Sequence, residues 1–302
     1  MAINIYSRYE LRNRYVFRGN LKMQTGLHIG GGKVTLSSSD SPVVLTPDQK
    51  PFIPGSSFKG ALRSTVEKLV PGLPGFSTCA LIELNEDEFR QESQQGRKRE
   101  DICPTARQWQ VARDRRNHPD QAKQILEKAL EELCDTCRLF GSPFTAAHVN
   151  INDLYMSEQE MMDIIERRDG VAIDRDSEKA RDRLKYDFEV VPASASFVME
   201  IVLENASPKE LQLLCAGLSE YVHGFGVIGG KRSRGLGVAR LENLTIDALE
   251  LVGNGIDETT RRQRLQKYLV TGKGTAQYEQ DAAFNFLIEQ INTMFTSNEG
   301  AS

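Results

Sequence analysis

Gly26-Leu27-His28-Ile29-Gly30-Gly31-Gly32, then Ser39-Asp40-Ser41-Pro42, then Ile53-Pro54-Gly55-Ser56-Ser57-Phe58-Lys59-Gly60-Ala61-Leu62-Arg63, form the stretch on which the reading turns. The glycine triplet lets a backbone come close to a ligand. Asp40 stands in a polar loop, held before a proline that favours an extended backbone at Ser41. The third segment opens a helix with Pro-Gly-Ser-Ser. Its hydroxyls and first-turn N–H groups suit an anion, and Lys59 and Arg63 add charge over the first two turns. The pattern predicts a site for a nucleic-acid backbone with one carboxylate beside it.

Working outward, residues 15–29 alternate apolar and polar side chains as a half-buried strand does. A short strand is expected at Val43–Leu45 and a helix from Ser56 to Leu69, stopped by Pro71, Gly72, Pro74 and Gly75. Residues 76–137 read as an insertion, with a loop between Cys79 and Cys103 and a helix from Asp120 to Leu133. A strand follows over Ala147–Met156. Residues 157–190 are too polar for a core and read as a protruding hairpin. Phe188–Glu204 is strand, Pro208–Val222 an amphipathic helix, Gly224–Gly237 a glycine-rich loop and Val238–Leu251 a strand. The segment 252–302 is expected to hold two helices, near 258–270 and 278–295. The order strand–helix–strand–strand–helix–strand predicts an α+β, ferredoxin-like palm within a single domain over 1–302.

Composition sets the bounds. The chain has 302 residues, 39% hydrophobic and 26% charged, with a net charge of −4. A polyanion-binding surface is therefore local, not global. Arg90 to Arg116 carries eight basic and four acidic residues, and Lys231 to Arg240 four basic residues and no acid. No run reaches the roughly 18 apolar residues of a membrane span, and the first residues lack a signal-peptide core. The expected location is the cytoplasm, without a membrane partner, where five cysteines read as thiols or metal ligands.

The loop Gly229-Gly230-Lys231-Arg232-Ser233-Arg234-Gly235-Leu236-Gly237 follows a helix and precedes a strand, so it is not a dinucleotide fingerprint. Its glycines and cations fit a backbone nest around a polyanion; a plain surface loop is the alternative. Cys134-x-x-Cys137 with Cys79 and Cys103 supplies the four thiols of a closed tetrahedral zinc site, with His118 or His148 able to replace one; buried free thiols are the alternative. The acids Asp174, Asp176, Asp182 and Asp187 are interleaved with Arg175, Arg181, Arg183 and Lys185 and read as a solvated mixed-charge face.

Residues 53–63 and 229–237, taken together, resemble the repeat-associated mysterious protein (RAMP) superfamily, and more narrowly the guide-RNA-binding backbone subunits of type III CRISPR effector complexes. The resemblance covers roughly residues 15–245. It implies a modified RNA recognition motif as palm, and a thumb, matched here by the region around Gly170–Val191, that kinks guide and target at about every sixth nucleotide. It also implies an aspartate before a Ser-Pro step that cuts target RNA with a divalent metal, Mg²⁺ or Mn²⁺; Asp40 matches that position. The partners implied are CRISPR guide RNA, complementary target RNA and other effector subunits, including copies or paralogues of this chain. Expected RNA contacts are His28, Gly31 and Lys33 at the glycine turn, Ser56, Ser57, Lys59 and Arg63 on the helix, and Lys231, Arg232, Ser233 and Arg234 on the loop. Apart from the resemblance, Asp40 also suits an Asx-type turn. Two further readings stay open: a structural subunit with an idle Asp40, and a stand-alone endoribonuclease that matures guide precursors.

Overall fold

Tyr15, Phe17, Leu21 and Met23 are buried along one face of the first strand, while Arg14 and Arg18 point the other way to Glu204 and Glu200. That alternation commits the strand to a sheet with a single apolar face. In the computed structural model, which describes residues 10–31, 39–79, 105–131, 133–143, 145–157, 165–173, 180–253 and 255–296, this strand is β1 (Asn13–Met23). It lies between β7 (Ser196–Glu204) and β9 (Val238–Glu250), antiparallel to both. The sheet is completed by β3 (Val149–Ile151) on β7, β10 (Ala276–Glu279) on β9, and β8 (Gly226–Val227), which also pairs with β9. Its spatial order is β10-β9-β1-β7-β3.

Two helices supply most of the cover. Helix α1 (Gly55–Leu69) buries Phe58, Ala61, Leu62 and Val66. Helix α5 (Pro208–Val222) buries Leu211, Leu213, Leu214, Leu218 and Tyr221. They approach closely at Gly217, where an added Cβ would lie 2.7 Å from a Val66 methyl and 2.9 Å from Leu62. Phe58 meets the Tyr221 ring edge-on at 5.3 Å. Helix α7 (Asp281–Thr296) adds Ala283, Phe286 and Leu287 to the same core.

The order of elements expected from the sequence stands, with adjustments. Val43 and Leu45 make isolated bridges, to Gly30 and Pro51, in place of a regular strand, while a two-residue strand β2 (Phe52–Ile53) pairs with β4 (Leu154–Tyr155). The expected strand 147–156 is split into β3 and β4, because β4 leaves the sheet for β2. The polar region 157–190 contains a hairpin of β5 (Glu166–Ile173) and β6 (Ala180–Val190). The region 76–137 holds α2 (Thr105–Asn117), α3 (Ala122–Glu131) and the start of α4 (Asp135–Phe140); the loop expected after Cys79 lies outside the described residues. At the C-terminal end, α6 (Glu258–Thr271) and α7 flank the unexpected strand β10. No helix among the described residues is long and apolar enough to cross a membrane.

Candidate nucleic-acid interface and metal centre

Strand β6 gathers the predicted residues. Its odd-numbered acids take the segment 39–43 as a neighbour. Asp187 Oδ1 accepts from the Asp40 backbone N–H at 2.7 Å and from the Ser39 hydroxyl at 2.9 Å. The Asp187 N–H in turn donates to Asp40 Oδ2 at 3.1 Å. Two residues on, the Glu189 N–H donates to the Ser41 carbonyl at 3.0 Å, and Glu189 Oε2 accepts from the Val43 N–H at 2.9 Å. Asp40 is exposed, and its Oδ1 has no partner among the described residues. Asp187 is only 9% exposed and is paired with the Arg167 guanidinium on β5. It therefore departs from the solvated face expected of it. Asp174 and Asp176 lie outside the described residues.

The alternate residues of β6 carry the cationic loop. Lys231 Nζ lies 4.5 Å from the Phe188 ring centroid and 5.7 Å from that of Tyr186. The Arg234 guanidinium lies 5.6 Å from the Tyr186 centroid and donates to its hydroxyl. Cation–π contacts of this kind fix a cation without cancelling its charge. Leu236 packs on Phe188 and Val190 beneath them. The loop's glycines answer to backbone geometry. Gly229 (φ 82°) and Gly237 (φ 89°) are left-handed, and a Cβ would lie 2.5 Å from the His28 carbonyl oxygen and 2.0 Å from that of Ile228, respectively. Only glycine fits both demands. Lys231 is also left-handed, at φ 59°, a conformation costly for a side chain of its length. Ser233 is exposed in the same turn.

His28 joins the two faces. It is 6% exposed and packs edge-on to Phe188 at 5.9 Å. Its Nδ1 is 2.7 Å from the Glu189 carbonyl, and its Nε2 is 3.2 Å from the Ser41 hydroxyl. A carbonyl only accepts, so Nδ1 carries a proton, and in the neutral ring Nε2 receives the Ser41 hydroxyl hydrogen. The His28 carbonyl accepts from the Gly230 N–H at 2.8 Å. His28 is thus a brace between the Asp40 segment and the cationic loop, buried where an RNA contact was expected. Gly31 donates its N–H to the Pro42 carbonyl at 3.0 Å, and Lys33 lies outside the described residues.

The α1 residues are placed differently. Gly55 N–H donates to the Asp153 carboxylate at 2.7 Å, so a protein acid already sits at the helix's positive end. Ser57 N–H donates to the Pro54 carbonyl at 2.9 Å, and Ser56 is exposed. Lys59 Nζ donates to the Val149 carbonyl at 3.2 Å. Burial and then the nearby Arg63 hold the Lys59 ammonium below its usual range. Arg63 pairs with Glu67 at 2.8 Å and donates to the Gly141 carbonyl at 3.3 Å and to Cys137 Sγ at 3.2 Å. Burial opposes its charge, but Glu67 and Cys137 outweigh that and raise its pKa. The described bonds of Arg63 therefore attach it to the cysteines, not to Arg232 and Arg234.

Cys79, Cys134 and Cys137 are buried, and their sulfurs all lie within 4.8 Å of one another, with Cys79 and Cys137 at 3.5 Å. Tetrahedral zinc–thiolate bonds of about 2.3 Å put sulfurs roughly 3.8 Å apart, so the cluster fits that ion. Asp135 accepts from the Ser77 N–H at 2.9 Å and hydroxyl at 3.0 Å, and Arg138 caps the Leu130 and Leu133 carbonyls at the end of α3. Cys103 lies outside the described residues. Neither His118 nor His148 belongs to the cluster among the described residues; His148 Nδ1 lies 2.6 Å from Glu210 Oε1 instead. The fifth thiol, Cys215, is core, and burial pushes it upward in pKa.

A family model described as the RAMP superfamily matches residues 20–240. Among curated proteins, the chain is similar to three named "CRISPR system Cms endoribonuclease Csm3". That of Enterococcus italicus is 48% identical over 60 residues, 19% of this chain and 28% of the relative. That of Methanothermobacter thermautotrophicus is 41% identical over 59 residues, 18% and 24%. That of Methanocaldococcus jannaschii is 38% identical over 60 residues, 19% and 24%. The chain thus matches about a quarter of the length of these relatives.

Proposed function

The chain belongs to the RAMP superfamily, and from that premise we propose that it binds CRISPR guide RNA as a repeating backbone subunit of a type III effector complex and cuts the paired target RNA at about every sixth nucleotide. The observation that carries the reading is Asp40: one carboxylate oxygen is anchored on β6, and the other is presented outward from a strand whose opposite side carries Lys231 and Arg234. The printed name of the curated relatives, endoribonuclease, agrees with it.

The chemistry asks little of the protein. In RNA the 2′-hydroxyl is the nucleophile: it loses its proton, its oxygen attacks the adjacent phosphorus, and the bond to the 5′-oxygen breaks, which leaves a 2′,3′-cyclic phosphate and a 5′-hydroxyl that takes its proton from water. Asp40 is placed to take that proton or to hold a divalent ion. A bound Mg²⁺ or Mn²⁺ supplies charge neutralisation on the phosphate, and one exposed carboxylate plus phosphate oxygens is an ordinary way to hold it. Lys231, Arg232 and Arg234 hold phosphates of the guide strand, and Ser233 is an exposed hydroxyl in the same turn. The strand order β9-β1-β7-β3, with α1 and α5 as the two crossovers, supports a ferredoxin-like palm; the β5–β6 hairpin is read as the thumb. The cysteine cluster is read as a structural zinc site with Cys103 as fourth ligand. It gives the 76–137 insertion an anchor that its sparse apolar content does not.

The test is cleavage of a complementary RNA by the assembled complex with wild-type chain and with Asp40→Ala. The expected result is loss of cutting, with guide loading and target binding unchanged. Cutting that persists in Asp40→Ala gives the structural-subunit reading instead. Metal-independent cutting of precursor hairpins by the lone chain gives the guide-maturing reading.

A further inference from the structure

We infer that Asp187 is the positioning residue for Asp40, so that the thumb hairpin, not the loop that carries Asp40, sets where the cutting acid stands. This rests on the reading of Asp40 as that acid. A carboxylate on an exposed loop has a free χ1 and a mobile backbone, and neither suits in-line attack. Here both are tied to one residue. The Asp40 main chain is held by the Asp187 side chain at 2.7 Å, and the Asp40 side chain is held by the Asp187 main chain at 3.1 Å. Such a reciprocal pair fixes backbone and rotamer together, because moving either breaks both bonds. The Ser39 hydroxyl adds a third bond to the same Asp187 oxygen at 2.9 Å.

The arrangement also accounts for a buried acid that otherwise has no purpose. Asp187 is 9% exposed and stands beside another carboxylate, an expensive placement for two like charges. Arg167, across the hairpin on β5, takes the second Asp187 oxygen. That ion pair holds the Asp187 carboxylate turned toward the Asp40 N–H, while leaving Asp40 Oδ1 outside the network. A side chain whose role was to close the hairpin alone would have no need to reach the Asp40 segment.

The experiment uses assembled complexes carrying Asp187→Ala, Asp187→Asn, Asp40→Ala and the double variant Asp40→Ala/Asp187→Ala, measuring the single-turnover cutting rate at saturating target, target affinity, guide loading and the Mn²⁺ dependence of the rate. Misplacement by about 1 Å is enough for a loss on the order of 100-fold. Asp187→Ala is expected to slow cutting by about that factor with target affinity unchanged, and to raise the Mn²⁺ concentration needed for half-maximal rate. Asp187→Asn keeps an acceptor for the Asp40 N–H but not the charge opposite Arg167, and is expected to lose about 10-fold. The double variant should equal Asp40→Ala. If Asp187→Ala does not assemble, Asp187→Asn decides alone. A wild-type rate per assembled complex in Asp187→Asn, or in both Asp187 variants, overturns the inference while loss of cutting in Asp40→Ala leaves the proposed function standing. Cutting by Asp40→Ala overturns both.

Discussion

His28 shows how much a single buried side chain can hold in place. Its ring nitrogens bond to the Glu189 carbonyl and the Ser41 hydroxyl, and its own carbonyl takes the Gly230 N–H. Truncation to alanine removes both ring bonds from a site where the imidazole is buried, at a cost of about 1–3 kcal/mol. His28→Ala is expected to lose that much in urea unfolding and to slow target cutting in assembled complexes; unchanged stability would show that the brace is not a brace. At this scale the sequence singles out Asp40 before Ser41-Pro42 and Cys134-x-x-Cys137, each with a plain alternative, a turn for the first and buried thiols for the second. Asp187 does not, because it is one acid in a run of mixed charge, and its burial depends on Arg167 from the other hairpin strand and on a segment about 150 residues earlier. For His28 the sequence allows an RNA contact, an acid or a structural role, since nothing local tells a buried ring from an exposed one.

Elements were legible when their signals lay within them. Helix α5 opens with Ser207, Pro208 and Glu210, a full capping box, and its expected and observed limits coincide. Strand β10 and the split of β3 from β4 were missed because each is decided by a partner strand remote in sequence. The α5 cap makes a pH prediction. Burial pushes the Glu210 carboxyl upward in pKa, but His148 and Ser207 outweigh it and hold it below its usual value. A carboxylate depressed in the folded state adds stability that is complete above its unfolded pKa and lost as pH falls through the folded one. Melting temperature should therefore drop below about pH 4.5, and Glu210→Gln should flatten that drop while costing about 1 kcal/mol at neutral pH through the weakened cap. A wild-type acid limb in Glu210→Gln would assign the loss to other groups. The cysteine cluster makes a second prediction. Purified protein should hold about one zinc per chain, and its removal by a chelator should lower the melting temperature by about 5–10 °C, since each kcal/mol moves a chain of this size by roughly 2–4 °C. A chain without zinc and unmoved by chelation would leave three buried thiols as core.

The whole molecule carries a net charge of −4 and yet is read as a binder of a polyanion, so its affinity must come from a few cations in fixed places. The structure narrows which. Arg63 is tied to Glu67 and Cys137, and Lys59 to the Val149 carbonyl, whereas Lys231 and Arg234 rest on aromatic rings that leave their charge uncancelled, and Arg232 donates to the Gly229 carbonyl at 3.0 Å. Each phosphate neutralised on a single strand contributes about −0.7 to the slope of log K against log salt. If Lys231, Arg232 and Arg234 each hold one, replacing all three with alanine should make the slope for single-stranded guide RNA shallower by about 2 units, and weaken binding at low salt more than at high salt. Replacing Lys59 and Arg63 should change the slope little, and Arg63→Ala should instead lower stability through the cysteine cluster. Filter binding across a salt series distinguishes the two sets. An equal change in slope from both would return the first turns of α1 to the RNA path, with the Asp153 carboxylate displaced from Gly55 when RNA is bound.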